Sequence, residues 1–88
     1  MIERTVTIQN RLGLHARACS VFVKEAARFA SHIIVARDGL EVNGKSILGV
    51  MMLAAEQGAE IVLRTEGADE AEAMEALVRV VDNKFGEE

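Results

Sequence analysis

A second cysteine is missing from this chain of 88 residues, and so are tryptophan and tyrosine; Cys19 stands alone. One thiol excludes an internal disulfide and fits a reducing cytoplasm, which is the location the sequence predicts. One cysteine and two histidines are too few for a dedicated zinc site, so neither a metal nor a cofactor is expected. Nucleic acid is a weak candidate as well, because bases find no Trp or Tyr to stack on and the chain carries a net charge of −4. No apolar run is long enough to cross a bilayer, and Met1-Ile2-Glu3-Arg4 lacks the core of a secretion signal, so no membrane association is expected. Low-complexity tracts, repeats and linkers are absent too. Half the residues are apolar and 27% are charged, which fits one ordered domain over residues 1–88.

What is present is unevenly distributed. Through Lys45 there are seven Lys and Arg against four Asp and Glu, whereas from Ser46 onward there are three against ten. A basic first half inside an acidic protein favours an acidic docking partner through electrostatic steering.

Residues 2–8 alternate, with Val6 and Ile8 on one face and Thr5 and Thr7 on the other, so they read as a half-buried strand with Arg4 near its fraying start. Asn10 through Leu14 form a loop in which Gly13 permits a turn. Residues 16–30 read as a helix with Ala18, Phe22, Ala26, Phe29 and Ala30 on one face. His32 has no companion groups and reads as a surface residue. Residues 33–36 make a β-rich strand, and Asp38-Gly39 gives the two-residue hairpin turn into residues 40–42. Ser46 is a natural N-cap for a short helix with Ile47, Val50, Met51 and Ala54 on its apolar side, ending before Gly58. Residues 61–65 form the fourth strand, open to burial on more than one side. Asp69-x-x-Glu72 resembles a capping box for a last helix carrying Met74, Leu77, Val78, Val81 and Phe85, with Gly86 at its end. The order β-α-β-β-α-β-α predicts an α+β fold, a four-stranded antiparallel sheet with its three helices packed on one face.

His15 falls on the strand-to-helix loop, beside the first free N–H groups of the helix that opens at Ala16. Such a terminus attracts anions, because its donors point outward and the helix dipole adds positive charge. Arg17 supplies a planar fork of donors suited to phosphate oxygens. A histidine side chain is a competent neutral nucleophile at cellular pH. The combination suits a histidine that accepts a phosphoryl group, held by Arg17 and by the backbone of Ala16 and Arg17. The competing reading is an ordinary surface histidine in a glycine-containing loop.

The full string Asn10-Arg11-Leu12-Gly13-Leu14-His15-Ala16-Arg17 resembles the active-site signature of the HPr family, the histidine-containing phosphocarriers of the bacterial phosphotransferase system. Lys45-Ser46-Ile47-Leu48-Gly49-Val50-Met51 resembles that family's regulatory-serine segment at the matching distance, and length and element order agree throughout. The resemblance implies an open-faced β-sandwich. It implies a monomeric carrier, not an enzyme, that takes a phosphoryl group on His15 Nδ1 from Enzyme I and hands it to IIA domains. It also implies phosphorylation of Ser46 by HPr kinase/phosphorylase in hosts that have one, with binding to a catabolite-control repressor. Docking is expected to involve Ser20, Lys24, Ile47, Leu48 and Met51, part of that apolar set facing the core.

Two positions qualify the resemblance. The residue after Arg17 is usually proline in this family, and here it is Ala18, in a chain without any proline. Alanine keeps helix propensity and restores an N–H near the phosphate site, so a looser first turn is expected. Cys19 is either a thiol activated by the helix terminus or a small half-buried hydrophobe aligned with Phe22 and Ala26, and the second reading is favoured. Ser46 by itself needs no role beyond capping. Alternatives to sugar phosphotransfer are a mainly regulatory module acting through Ser46 and a carrier of the nitrogen-related branch. An unrelated small enzyme is disfavoured, since no second acid–base group lies near His15 in sequence.

Overall fold

Four short strands share one sheet, and burial alternates along its inner strands even where the sequence is continuously apolar, with Ile33 and Val35, and Ile61, Leu63 and Thr65, buried on one face. A computed structural model describes residues 1–87. Strand β1 (Ile2–Thr7), helix α1 (Ala16–Ala26), β2 (His32–Arg37), β3 (Leu40–Asn43), α2 (Ile47–Met52), β4 (Glu60–Glu66) and α3 (Glu70–Asp82) follow in that order, and a 3₁₀ turn closes the chain at Lys84–Gly86. The sheet runs β1-β4-β2-β3 with every pairing antiparallel. Arg4 lies inside the β1–β4 ladder opposite Leu63, so the strand does not fray there.

Val6, Ile33, Val35, Ile61 and Leu63 point from the sheet into one core, where they meet Ala18, Phe22 and Ala26 of α1 and Met74, Leu77 and Val81 of α3. The opposite sheet face stays open, with Arg64 of β4 reaching Glu3 of β1 at 3.1 Å and Glu41 of β3 at 3.3 Å, so that the two bridges span all four strands. β4 is therefore fully buried on one side only: Ile61, Leu63 and Thr65 face the core while Val62 and Arg64 are half-buried on the other. This is the one-sided antiparallel sheet that the element order predicts, the open-faced sandwich that the resemblance implies.

The hairpin turn forms as its residues dictate. Arg37 pairs with Leu40, and Asp38 and Gly39 take positive φ values of 51° and 86° between them. Other boundaries move because tertiary bonds compete with local pattern. α1 ends at Ala26, short of residue 30: the amides of Arg28 and Phe29 donate to Glu25 and Ala26 in tight i−3 bonds, and Lys45 Nζ donates to the Phe29 carbonyl at 2.7 Å. The chain then turns into β2, leaving Phe29 half-buried and Ala30 exposed.

The expected capping box at Asp69 does not form. Its carboxylate instead accepts from the amides of Ala30 at 2.9 Å and Ser31 at 3.0 Å and from the Ser31 hydroxyl, tying α3 to the start of β2. Glu70 takes over the reach-back bond, accepting from the Gly67 amide at 3.1 Å. Phe85 lies past α3, in the closing turn, where it is buried despite a left-handed φ of 55°. α2 presents only Val50 to the core, followed by Leu53 just after the helix; Ile47, Met51 and Ala54, expected on the apolar side, are exposed. Six residues make fewer than two turns, so one residue per turn suffices to seat it.

Candidate functional site

The loop between β1 and α1 is bolted in place from both sides. Leu14 donates its amide to the Ala55 carbonyl at 2.8 Å, and Asn10 Nδ2 donates to the Gly13 carbonyl at 2.8 Å. Gly13 has a φ of 68°, and a Cβ there would lie 2.5 Å from the Ala55 oxygen, so no other residue fits this close approach. The loop thereby delivers His15 as the N-cap of α1, with extended backbone angles of φ −81° and ψ 177°.

His15 does not close the helix with its own side chain. Its carbonyl accepts the first helical bond from Cys19 at 2.9 Å. Among the described residues no group accepts from the amides of Ala16, Arg17 or Ala18, which are the donors that every helix leaves open at its start. Ala16 and Arg17 are exposed and His15 is partly so. Three amides without an acceptor among the described residues and the dipole of an 11-residue helix thus lie at the backbone of His15, with Arg17 exposed in the first turn. Ala18 itself is buried, and its amide is one of the three.

Two residues of the site carried no role in the sequence reading. Asn10 is fully buried, and besides holding Gly13 its Nδ2 donates to Glu87 Oε1 at 2.8 Å. The other carboxylate oxygen of Glu87 contacts His15 Nε2. Glu87 is thereby held well into its charged form: the Asn10 bond pulls its carboxyl below the ordinary carboxylate range, with His15 and Arg17 adding to the effect. Asn10 opens the signature string, so its presence was visible; its partner lies 77 residues away, and no local pattern announces that.

Cys19 is inert. It is wholly buried, its thiol donates to the Leu14 carbonyl at 3.4 Å, and burial pushes it up to about 11, so the activated-thiol reading falls. His32 is exposed at the start of β2, as a surface residue should be. Among the described residues no three His, Cys, Asp or Glu side chains gather to hold a metal, and no helix is long and apolar enough to cross a membrane. A groove of about 340 Å³ between α1 and α3, lined by Glu25, Arg28, Glu72 and Arg79 among others, contains none of the candidate residues.

Ser46 is the N-cap of α2, and its hydroxyl accepts from the Gly49 amide at 3.1 Å. Around it Ile47, Leu48, Met51 and Met52 are exposed; Leu12, in the loop before His15, is exposed as well. Leu48 is the most open of these at 76%. α2 packs against α1, whose Ser20 is half-buried and whose Lys24 is exposed with no ion pair among the described residues.

Residues 2–83 match the model of the family described as PTS HPr component phosphorylation site. The chain is 51% identical to the phosphocarrier protein HPr of Neisseria meningitidis serogroup B over 99% of its length and 98% of the relative's. A crystal structure of HPr from Thermoanaerobacter tengcongensis superposes with a TM-score of 0.96 at 49% identity, covering 100% of this chain and 99% of that one. Crh of Bacillus subtilis, a catabolite-repression protein whose crystal structure is a domain-swapped dimer, is 42% identical with a TM-score of 0.77, over 96% of this chain and 97% of that one. The chain belongs to the HPr family of phosphocarrier proteins.

Proposed function

We propose that this HPr-family protein takes a phosphoryl group on His15 Nδ1 from phosphorylated Enzyme I and passes it to IIA domains in the cytoplasm, acting as a monomeric carrier and not as a turnover catalyst. The observation that carries this reading is the open first turn of α1, with His15 as N-cap and the amides of Ala16, Arg17 and Ala18 without protein acceptors among the described residues. Energetics favour a carrier. A helix terminus contributes about 0.3–2 kcal/mol toward an anion, and one exposed arginine adds a similarly modest amount. That well is deep enough to receive a phosphoryl group and shallow enough to release it. Fixed donors and charges suffice for stabilisation. Ser20 and Lys24 of α1 and the exposed Ile47, Leu48 and Met51 would form the docking face.

The test is direct. Incubation with Enzyme I and phosphoenolpyruvate should add one acid-labile phosphoryl group by mass, and His15→Ala should abolish it while preserving the circular dichroism spectrum. Undiminished labelling of that variant would remove His15 from the role.

A regulatory reading of Ser46 runs beside this one, favoured by its exposed apolar neighbours and by the similarity to Crh. Phosphorylation by a kinase/phosphorylase would place negative charge at the start of α2 and create a surface for a catabolite-control repressor. A chain devoted to that task would have little use for an open α1 terminus, so phosphoryl carriage is the leading reading; a carrier of the nitrogen-related branch would use the same terminus.

A further inference from the structure

Glu87 reaches the candidate site from the far end of the chain, and the path is built with some expense. After α3 ends at Asp82, Lys84 and Phe85 both adopt left-handed φ values, 57° and 55°, a conformation costly for side chains of this kind. Burial of Phe85 at 4% exposure anchors this turn in the core. The tail then places both oxygens of one carboxylate against the β1–α1 loop. Oε1 accepts from Asn10 Nδ2 at 2.8 Å, and Oε2 contacts His15 Nε2. Asn10 is wholly buried and locked by its second bond to the Gly13 carbonyl, so it is a rigid support for the carboxylate.

We propose that Glu87 is a positioning residue for phosphoryl acceptance: its carboxylate holds the proton on His15 Nε2 and leaves the Nδ1 lone pair free as the nucleophile. The inference rests on the phosphocarrier reading above and extends it. An ionised carboxylate is an acceptor only, and the bonds from Asn10 and His15 and the nearby charge of Arg17 all keep Glu87 ionised. In a neutral imidazole one nitrogen carries hydrogen and the other the lone pair. With Oε2 against Nε2, the hydrogen must sit at Nε2. A carboxylate behind a histidine fixes tautomer and orientation in the same way where the ring's other nitrogen binds a metal.

The group transfer then needs no proton movement at His15. The Nδ1 lone pair forms a bond to phosphorus as the donor's bond to phosphorus breaks, and that electron pair returns to the donor. The ring is left with phosphorus on Nδ1 and hydrogen on Nε2, so it carries positive charge. Glu87 faces that charge across the hydrogen bond it already makes, while the amides of Ala16–Ala18 and Arg17 face the phosphoryl oxygens. Transfer onward reverses each bond change and returns the pair to Nδ1.

The experiment uses the full chain and two variants, Glu87→Ala and Glu87→Gln. Nitrogen-15 spectra of the His15 ring, recorded where the ring is neutral, should show the Nε2–H tautomer alone in the parent protein and a mixture of tautomers in Glu87→Ala. Glu87→Gln, whose amide both donates and accepts, should fall between them. Phosphoryl acceptance from Enzyme I should slow by roughly tenfold in Glu87→Ala, the scale seen when a carboxylate supporting a histidine is removed, with circular dichroism unchanged. A ring spectrum of Glu87→Ala that superposes on the parent's overturns the proposal, and so does acceptance at the parent's rate. If the parent itself takes no phosphoryl group while the ring spectra differ as stated, the carrier reading fails and the tautomer assignment stands.

Discussion

Two helices of this domain begin in the same backbone conformation and finish their first turns in opposite ways. His15 and Ser46 are both extended N-caps, at φ −81° and −111°. Ser46 turns its hydroxyl back onto the Gly49 amide at 3.1 Å and closes α2, whereas His15 turns its ring away to Glu87 and leaves α1 open. α3 offers a third solution, for its N-cap Asp69 spends its carboxylate on Ala30 and Ser31 instead of its own first turn. An N-cap bond contributes about 1 kcal/mol to stability. The contrast is that α1's first-turn amides stay open among the described residues, available to an external anion under the proposed carrier role, while α2's terminus is already satisfied from within. A phosphate arriving at Ser46 must therefore displace or replace an existing cap, and its effect falls on the surrounding surface more than on the fold.

That contrast can be broken at α2 with the larger expected effect. Ser46→Ala should cost about 1 kcal/mol, within a range of roughly 0.5–2 kcal/mol, in denaturant titration, because the Gly49 amide loses its acceptor. His15 labelling should continue at the parent's rate. Ser46→Asp keeps an acceptor at the cap and should retain stability, yet slow His15 phosphorylation several-fold at low salt, with the slowing fading as screening grows. Equal rates for Ser46→Asp at low salt would confine Ser46 to capping.

At α1 the expected effect is smaller and of opposite sign. The Ala18 amide has no acceptor among the described residues, and residue 18 falls within the first turn. Ala18→Pro should therefore be tolerated and stabilise the fold by roughly 0.4–1 kcal/mol through a stiffer unfolded chain. A clear loss in thermal denaturation would show that the buried wall around Ala18 has no room for the ring.

The parts of this arrangement that were legible in the sequence are those written locally. His15 and Arg17 follow a strand and open a helix, so a helix terminus beside them could be read from neighbours within a few residues, and Ser46 announces its cap three residues ahead of the amide from which it accepts. The sheet followed from the alternation in residues 2–8, from the β-rich runs at residues 33–36 and 61–65, and from Asp38-Gly39. What stayed hidden depends on long-range partners. Glu87 meets His15 only because Phe85 is buried and two residues take left-handed φ, which periodicity cannot encode. Lys45 and Asp69 draw off the chain beyond Ala26, so the helical pattern through residue 30 outlasts the helix itself. Ile47 and Met51 look like core residues by spacing, but a six-residue helix needs little more than Val50 to seat it.

The central claim is that the phosphoryl group on His15 is received by the open first turn of α1. Proton–nitrogen correlation spectra of the chain before and after phosphorylation by Enzyme I and phosphoenolpyruvate report on each backbone amide separately. The account predicts downfield shifts of the Ala16, Arg17 and Ala18 amide protons as they bond phosphoryl oxygens, with the Gly49 amide of α2 unmoved because Ser46 already holds it. Phosphorylation that left the three α1 amides where they were, or that shifted Gly49 instead, would contradict it.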